Sequence, residues 1–438
     1  MYQKLNAPVS CQIEMTTGCN LDCFHCYNHW RHDKENSSCS SLSIEMIRII
    51  AKELINLGVF HATFTGGEPF LNKKVMFEGI RMLMEAGIFC DINSNLTLIT
   101  KEDADLIVSM GVGGILTSVA SPKHELHDKI MCKPGSLKKT LNGIEIAQKS
   151  GLTIAASMVV TKLNIHDVYE TGKFLHSIGV NQFYATKASP PVNAKGFEEY
   201  LLSSDELIFL LESLNRLKKD FGIDVGALEC YPLCSYVSQK KYSFMSSRKC
   251  SAGVTTCSIG SNGDVRACSH DDKVYGSMFS NGLLNSWDKM SDWRDGSILP
   301  QVCKECKFFP VCSGGCRVDA KCINGAKNKL DPYADEKLID SIILSDVESF
   351  DLDLNVLSSF SINSELRFRK EDFCFLCANP SNIASPSTIS FDSFDLVQDL
   401  GEDIFTVGDI MSKTELSEDD SVSLCRSFVK DSIFIFNP

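Results

Sequence analysis

Residues 15–28 read M-T-T-G-C-N-L-D-C-F-H-C-Y-N, with Cys19, Cys23 and Cys26 in C-x3-C-x2-C spacing. Three thiolates so close in sequence can hold an iron–sulfur cluster on one short loop. A 4Fe-4S cluster has one iron more than this loop has thiolates, so one iron stays open to a small molecule. A short cysteine group also suits zinc, and the flanking sequence has to arbitrate.

Outward from that loop the chain alternates between strands and helices. Ser10 to Met15 is a short apolar–polar run that suits a strand delivering the loop, with Cys11 as an ordinary strand residue. Ile44, Ile47, Ile50, Leu54 and Leu57 recur at helical spacing between an N-cap at Ser43 and a stop at Gly58. A strand from Val59 to Thr65 then breaks into Gly66, Gly67, Glu68 and Pro69. Glycines let a backbone approach a ligand closely, and a carboxylate beside them can hold an ammonium group. The pattern continues as helix 74–86, strand 88–93, helix 101–110, strand 114–119, helix 136–149, strand 152–160, helix 166–178 and strand 182–186. This alternation predicts an α/β fold whose parallel sheet closes part of a barrel, with its sites at the carboxyl ends of the strands.

A chain of 438 residues with 44% hydrophobic side chains allows two or three domains with ordinary cores. The net charge of -13, with no Lys/Arg-rich block, argues against nucleic acid as a partner. Residues 1–18 lack a basic start followed by a long apolar core, and no run of about 18 apolar residues occurs. A cytoplasmic protein without membrane attachment is therefore expected. In a reducing compartment the twenty cysteines are poor disulfide candidates, and their clustering favours metal ligation. Cys39, Cys90 and Cys425 stand alone and suit small buried apolar positions.

The cysteine triplet, followed about forty residues later by Gly66-Gly67-Glu68-Pro69, resembles the radical S-adenosylmethionine (SAM) enzymes. That resemblance implies a partial (β/α)6 barrel over residues 1–200 and a 4Fe-4S cluster on Cys19, Cys23 and Cys26. Its open iron would chelate the amino and carboxylate groups of SAM, and Gly66, Gly67, Glu68 and Pro69 would bind the amino group. Ser94 and Asn95 match the family's T-N-G turn near the SAM ribose, although Leu96 stands where glycine is usual. Ser118 matches the serine of its S-L-D strand end, with Ala120 in place of the aspartate. Met131 and Cys132 stand near where many relatives carry an arginine that contacts SAM, for which Lys133 or Lys187 is a substitute. His25 is expected to pack against the cluster or bond nearby backbone, and Asp22, His29 and His32 to be solvated.

A second array is denser: Cys250, Cys257, Gly263-x4-Cys268, then Cys303-x2-Cys306-x5-Cys312-x3-Cys316. It closely resembles the SPASM extension of the same family, expected over residues 201–334 together with a helical bridge at 204–221. The resemblance implies two auxiliary 4Fe-4S clusters, the first on Cys250, Cys257, Cys268 and Cys316, the second on Cys303, Cys306 and Cys312. Relatives supply the remaining ligand of the second from a D-P-Y-C ending, but this chain reads Asp331, Pro332, Tyr333, Ala334. Cys322, Asp335, Cys374 and Cys377 are candidate substitutes; otherwise an iron is open or the cluster altered. Cys230 and Cys234 have no partners readable from sequence, and structural roles and proximity to substrate stand equally for them. His270 is within reach of a substrate, whereas Asp271 reads as a solvated loop residue.

Residues 335–364 read as an ordered linker containing a helix. Beyond it, strands within 366–378, helices at 391–400 and 417–429, an N-cap at Thr406 and a closing strand at 433–436 suit a small winged helix over 365–438. This segment resembles the precursor-peptide-binding domain of peptide-modifying systems, which takes a leader peptide as an added strand. Its acidic side chains, among them Glu402, Asp403 and Asp409, make peptide a better partner than DNA. The combined expectation is a radical SAM oxidoreductase of ribosomal-peptide (RiPP) biosynthesis. A 5'-deoxyadenosyl radical would abstract hydrogen from a precursor peptide, and a side-chain crosslink or related modification would follow. An external electron donor such as flavodoxin or ferredoxin is implied. The alternatives are sulfatase-maturase-like oxidation of Ser or Cys, a DNA-binding iron–sulfur sensor, and a zinc protein without redox chemistry.

Overall fold

Parallel strands in chain order build the first unit of the computed structural model. They are β1 (Ser10–Glu14), β2 (His61–Thr65), β3 (Phe89–Asn93), β4 (Ile115–Ser118), β5 (Ile154–Val160), β6 (Gln182–Lys187) and β7 (Asp224–Gly226). Residues 2–28, 40–191, 196–246, 248–344, 354–379 and 382–437 are described, the side chains of 382–385 excepted. They fall into two units, Met1–Ser345 and Asp346–Pro438.

Helices α1 (Ile44–Asn56), α2 (Lys73–Glu85), α3 (Lys101–Ser109), α4 (His124–Ile130), α5 (Ser136–Lys149), α6 (Val168–Ser177) and α7 (Ser204–Phe221) connect these strands. Each amphipathic helix covers the sheet with its apolar stripe. In α1, Ile47, Ile50 and Leu54 are fully buried, each contributing about 1.5–3 kcal/mol relative to exposure. The Ser43 side chain accepts from the Met46 N–H and caps that helix as its sequence implies. The expected α/β partial barrel is thus present. Sequence reading ended the sheet at six strands; β7 extends one edge, and α4 adds a helix between β4 and α5.

On the other side of β1, the cysteine-rich region joins the same sheet through β8 (Thr256–Ile259), β9 (Asp264–Arg266) and β10 (Val274–Ser277), giving the order β10-β9-β8-β1-β2-β3-β4-β5-β6-β7. β8 runs parallel to β1 with Cys257 opposite Cys11, so no sheet boundary falls at residue 200. Short helices α8 (Gly282–Asp288), α9 (Ser291–Arg294), α10 (Gln301–Glu305), α11 (Phe309–Cys312) and α12 (Arg317–Asn324) follow.

The second unit holds two antiparallel three-stranded sheets. One is β15-β11-β16, from β11 (Ser359–Ile362), β15 (Phe405–Thr406) and β16 (Phe434–Asn437); the other is β12-β13-β14, from β12 (Arg367–Lys370), β13 (Phe375–Asn379) and β14 (Asn382–Ile389). Helices α13 (Phe391–Leu400), α14 (Val407–Thr414) and α15 (Glu418–Lys430) complete it. Thr406 forms a capping box with Asp409 at the start of α14. β11 lies in the stretch read as linker, so this unit begins earlier than residue 365. Among the described residues no helix is long and apolar enough to cross a membrane.

Candidate active site and iron–sulfur ligand sets

The cysteine loop leaves the carboxyl end of β1 and is pinned to the end of β2 through backbone. Gly67 N–H donates to Thr16 O at 2.7 Å and Glu68 N–H to Gly18 O at 2.8 Å. A Cβ on Gly67 would stand 1.9 Å from Gly18 O, and Gly66 has φ +128° with Thr16 O 2.7 Å from its Cβ position. The close approach that these glycines permit is therefore made first by the cysteine loop itself.

Glu68 is buried and ties the ends of β2 and β3 together. Its carboxylate accepts from Phe70 N–H at 3.1 Å, Ser94 Oγ at 2.7 Å and Asn95 N–H at 2.9 Å. Burial pushes its pKa up to about 7 despite these donors. A carboxylate has about four lone-pair sites, so one acceptor position remains. Pro69 opens the short helical turn Pro69–Asn72 behind it. Leu96 keeps the left-handed backbone of the glycine it replaces, at φ +58°, a conformation that costs roughly 1–2 kcal/mol.

One cavity of about 310 Å³ brings this set together: Cys19, Cys23, Cys26, Gly66, Gly67, Glu68, Ser94, Asn95 and Ser118 all line it. Pro69 is not among its lining residues. Asn95 Nδ2 donates to Asn20 Oδ1 at 2.9 Å and lies 4.0 Å from Cys19 Sγ. Behind the loop, Leu21, Ala120, Ile130 and Met131 form a small apolar cluster against Cys19 and Cys23. An aspartate at 120 would be buried there among apolar groups, which accounts for the alanine.

His25 and Asn28 also line the cavity, and the buried His25 Nδ1 and Asn28 Oδ1 have no hydrogen-bond partner among the described residues. Burial lowers the His25 pKa to about 4, so the ring is neutral at pH 7. Asp22 is exposed as expected, while His29, His32 and Cys39 lie outside the described residues. Three thiolates beside unsatisfied polar atoms, with Leu21 N–H donating to Cys19 Sγ at 3.5 Å, suit a cluster with one open iron and a polar ligand.

The far wall carries buried charge contributed by residues far apart in the chain. Lys187 is fully buried, held by Asp319 and by Glu229 Oε2 at 3.1 Å, whereas Lys133 does not line the cavity. Ser189 Oγ donates to Asp319 at 2.6 Å, and His270 Nδ1 lies 3.3 Å from Glu229 Oε1 while its ring stacks on Tyr27 at 3.9 Å. Asp271 is a correction: instead of facing solvent it is completely buried and ion-paired with Lys327, because the turn after Cys268 packs beneath the 327 loop.

This wall continues into the second cysteine field. Cys230 is buried close enough to Cys250 and Cys316 for these two to raise its thiol pKa, and the same two bear on Cys268. Cys257 lies instead on β8, buried, with its Sγ 3.4 Å from Cys11 Sγ. The register of β8 on β1 thus sets Cys257 beside Cys11, whereas the charges that bear on Cys268 come from Cys250 and Cys316. Cys303, Cys306 and Cys312 line a separate cavity together with Cys234 and Ala334. Backbone donors reach these sulfurs: His270 N–H to Cys268 at 3.4 Å, Asp319 N–H to Cys316 at 3.4 Å and Leu233 N–H to Cys312 at 3.3 Å. Among the described residues no three His, Cys, Asp or Glu groups converge on a point that would hold one metal ion. Cys19, Cys23 and Cys26 line one cavity and Cys234, Cys303, Cys306 and Cys312 another. Cys322 sits on α12 and lines neither cavity, while Cys374 and Cys377 belong to the second unit.

Residues 13–175 match the model of the Radical SAM superfamily. The chain is similar to the AdoMet-dependent heme synthase of Methanosarcina barkeri, 25% identical over 349 residues that cover 76% of this chain and 98% of that protein. It is 22% identical to the PqqA peptide cyclase of Bradyrhizobium diazoefficiens over 343 residues, covering 74% and 85%. In fold it resembles Streptococcus suis SuiB, solved bound to precursor peptide SuiA, with a TM-score of 0.59 at 17% identity over 74% of this chain and 75% of that one.

Proposed function

We propose, from the premise that this chain is a radical SAM enzyme related to peptide cyclases and heme synthases, that it oxidatively modifies a ribosomally made precursor peptide. The product is a side-chain crosslink or a related modification in which the peptide loses two hydrogens. Cys19, Cys23 and Cys26 would hold the SAM-binding 4Fe-4S cluster. When bound there, cluster and SAM supply one-electron cleavage of a carbon–sulfur bond and hence a carbon radical able to abstract hydrogen.

The protein's own residues do the positioning. Asn28 Oδ1 and the remaining acceptor site of Glu68 would accept from the N–H groups of the SAM amino group, and Ser94, Asn95 and Ser118 line the rest of its bed. Lys187, Glu229, Ser189 and His270 face the substrate side and connect it to the auxiliary cysteines, which would hold two further clusters that take up the electron left after bond formation. Holding reactants in a water-poor cavity is the enzyme's main contribution to such chemistry.

The observation that carries this reading is the single cavity in which the triplet, the Gly-Gly-Glu turn and the Glu229–His270 wall meet. A heme-like substrate is a second reading, favoured by the heme synthase's coverage of 98% of its own length. Among the described residues lining the cavity, however, Lys187 is the one lysine or arginine, and it is already paired with Asp319 and Glu229. A substrate rich in carboxylates finds little positive charge there, which supports a peptide. The second unit would bind the leader as an added strand. The experiment is co-expression with candidate short precursors and mass spectrometry of the product. A precursor lighter by two hydrogens supports the reading, and SAM cleavage with a porphyrin as the only modified substrate refutes it.

A further inference from the structure

We infer that the segment carrying Cys230-x3-Cys234 completes both auxiliary clusters: Cys230 joins Cys250, Cys268 and Cys316, and Cys234 joins Cys303, Cys306 and Cys312 in place of the thiolate that Ala334 lacks. This deepens the proposed function and rests on its auxiliary-cluster part. The segment reaches both sites because its two cysteines diverge. Cys230 is buried near Cys250 and Cys316, whereas Cys234 lines the cavity of Cys303, Cys306 and Cys312.

The strongest argument lies in what stands opposite Cys234. Ala334 lines the same cavity as Cys234, and the backbone of its neighbour Asp335 comes close enough to bear on the Cys234 thiol. The two strands of chain are zipped beyond that point: Ile343 N–H donates to Val237 O at 2.7 Å and Gln239 N–H to Ile343 O at 2.8 Å. Leu233 N–H, one residue before Cys234, donates to Cys312 Sγ at 3.3 Å. A thiol delivered from the 230s segment thus enters the cavity beside the position where a thiol from the 330s would have entered. Backbone N–H donors to the sulfurs are the outer interactions that orient and tune cluster ligands. Ligation by four thiolates leaves no auxiliary iron open, which confines substrate to the cavity at the triplet.

The test uses the full chain with C19A/C23A/C26A, so that remaining iron belongs to the auxiliary sites, read by iron content and by Mössbauer and EPR spectroscopy after anaerobic reconstitution. This parent should hold about eight irons, as two four-iron clusters. A parent without iron would sink the auxiliary-cluster reading itself, separately from the ligand assignment. Adding Cys234→Ala should remove about one to four irons, seen as a three-iron signal or as loss of one cluster's contribution. Cys230→Ala should do the same to the other cluster, and Cys322→Ala should leave the content unchanged. Combining C234A with Ala334→Cys should restore the lost iron, which separates a missing ligand from a misfolded chain. Full iron with an unaltered Mössbauer spectrum in C234A or C230A would overturn the assignment. So would failure of A334C to restore iron in the C234A background, because the two walls would then not share a site.

Discussion

Replacing Gly67 by alanine tests the joint between the cysteine loop and the Gly-Gly-Glu turn. The added methyl would sit 1.9 Å from Gly18 O, 2.5 Å from Gly18 C and 3.0 Å from Thr17 O. All three are backbone atoms, so no side chain can rotate away. Ordinary contact near 3.4 Å requires the two segments to part by about 1.5 Å, with overpacking costs of roughly 1–3 kcal/mol. Parting also breaks the hydrogen bonds from Gly67 N–H to Thr16 O and from Glu68 N–H to Gly18 O, together worth about 1–3 kcal/mol net. A displacement of about an ångström in a reacting geometry costs on the order of 100-fold in rate. Gly67→Ala should therefore lower 5'-deoxyadenosine formation from SAM by about 100-fold or more, while auxiliary iron stays bound. Gly135→Ala is the control: its φ is also positive, +76°, but nothing lies within 4 Å of its Cβ position. It should cost stability through backbone strain alone and leave SAM cleavage within a few-fold. Wild-type SAM cleavage in Gly67→Ala would refute the reasoning, since the loop would then not depend on this joint.

Replacing Cys19, Cys23 and Cys26 together by alanine should abolish SAM cleavage with auxiliary iron retained, and residual turnover would remove the central assignment. Deleting residues 346–438 should weaken precursor binding in fluorescence titrations without slowing peptide-free SAM cleavage; unchanged peptide affinity would dismiss leader recognition by that unit. The cut belongs at 346, because a cut at 365 leaves β11 without β15 and β16. Glu68 gives a pH prediction. Its folded-state pKa of about 7 lies above the ordinary carboxyl value of 4.5, so ionisation opposes folding progressively as pH rises from 4.5 through 7, and the penalty is full above that. An N–H donor from the bound SAM amino group favours the ionised carboxylate and offsets the penalty, so SAM affinity measured by calorimetry should rise between pH 6 and pH 8. A flat affinity profile across that range would separate Glu68 from the SAM amino group.

The candidate site was legible wherever its parts are close in sequence. Cys19, Cys23 and Cys26 fall on one loop and Gly66 to Pro69 on one turn, and alternation of strand and helix places both at the same end of the sheet. Ser94 and Asn95 directly follow β3 and Ser118 ends β4, so the strand alternation carries all three to that end as well. The second cysteine field was not legible in the same way. Its sulfurs come from segments up to about ninety residues apart, and spacing cannot tell a ligand from a strand residue. Cys257 has suitable spacing, but the register of β8 on β1 turns it onto Cys11.

What the sequence determined alone is local: the thiolate triplet, the glycines that tolerate a backbone contact, the amphipathic periods and the missing thiol at Ala334. Only the tertiary structure decided which distant groups share an environment. It buried Asp271 against Lys327, set Lys187 between Asp319 and Glu229, and brought Cys234 to the wall that Ala334 leaves without a sulfur. The reason is physical: a buried charge or thiol takes its partner from whatever the packed chain brings within a few ångströms, and chain separation does not enter that distance.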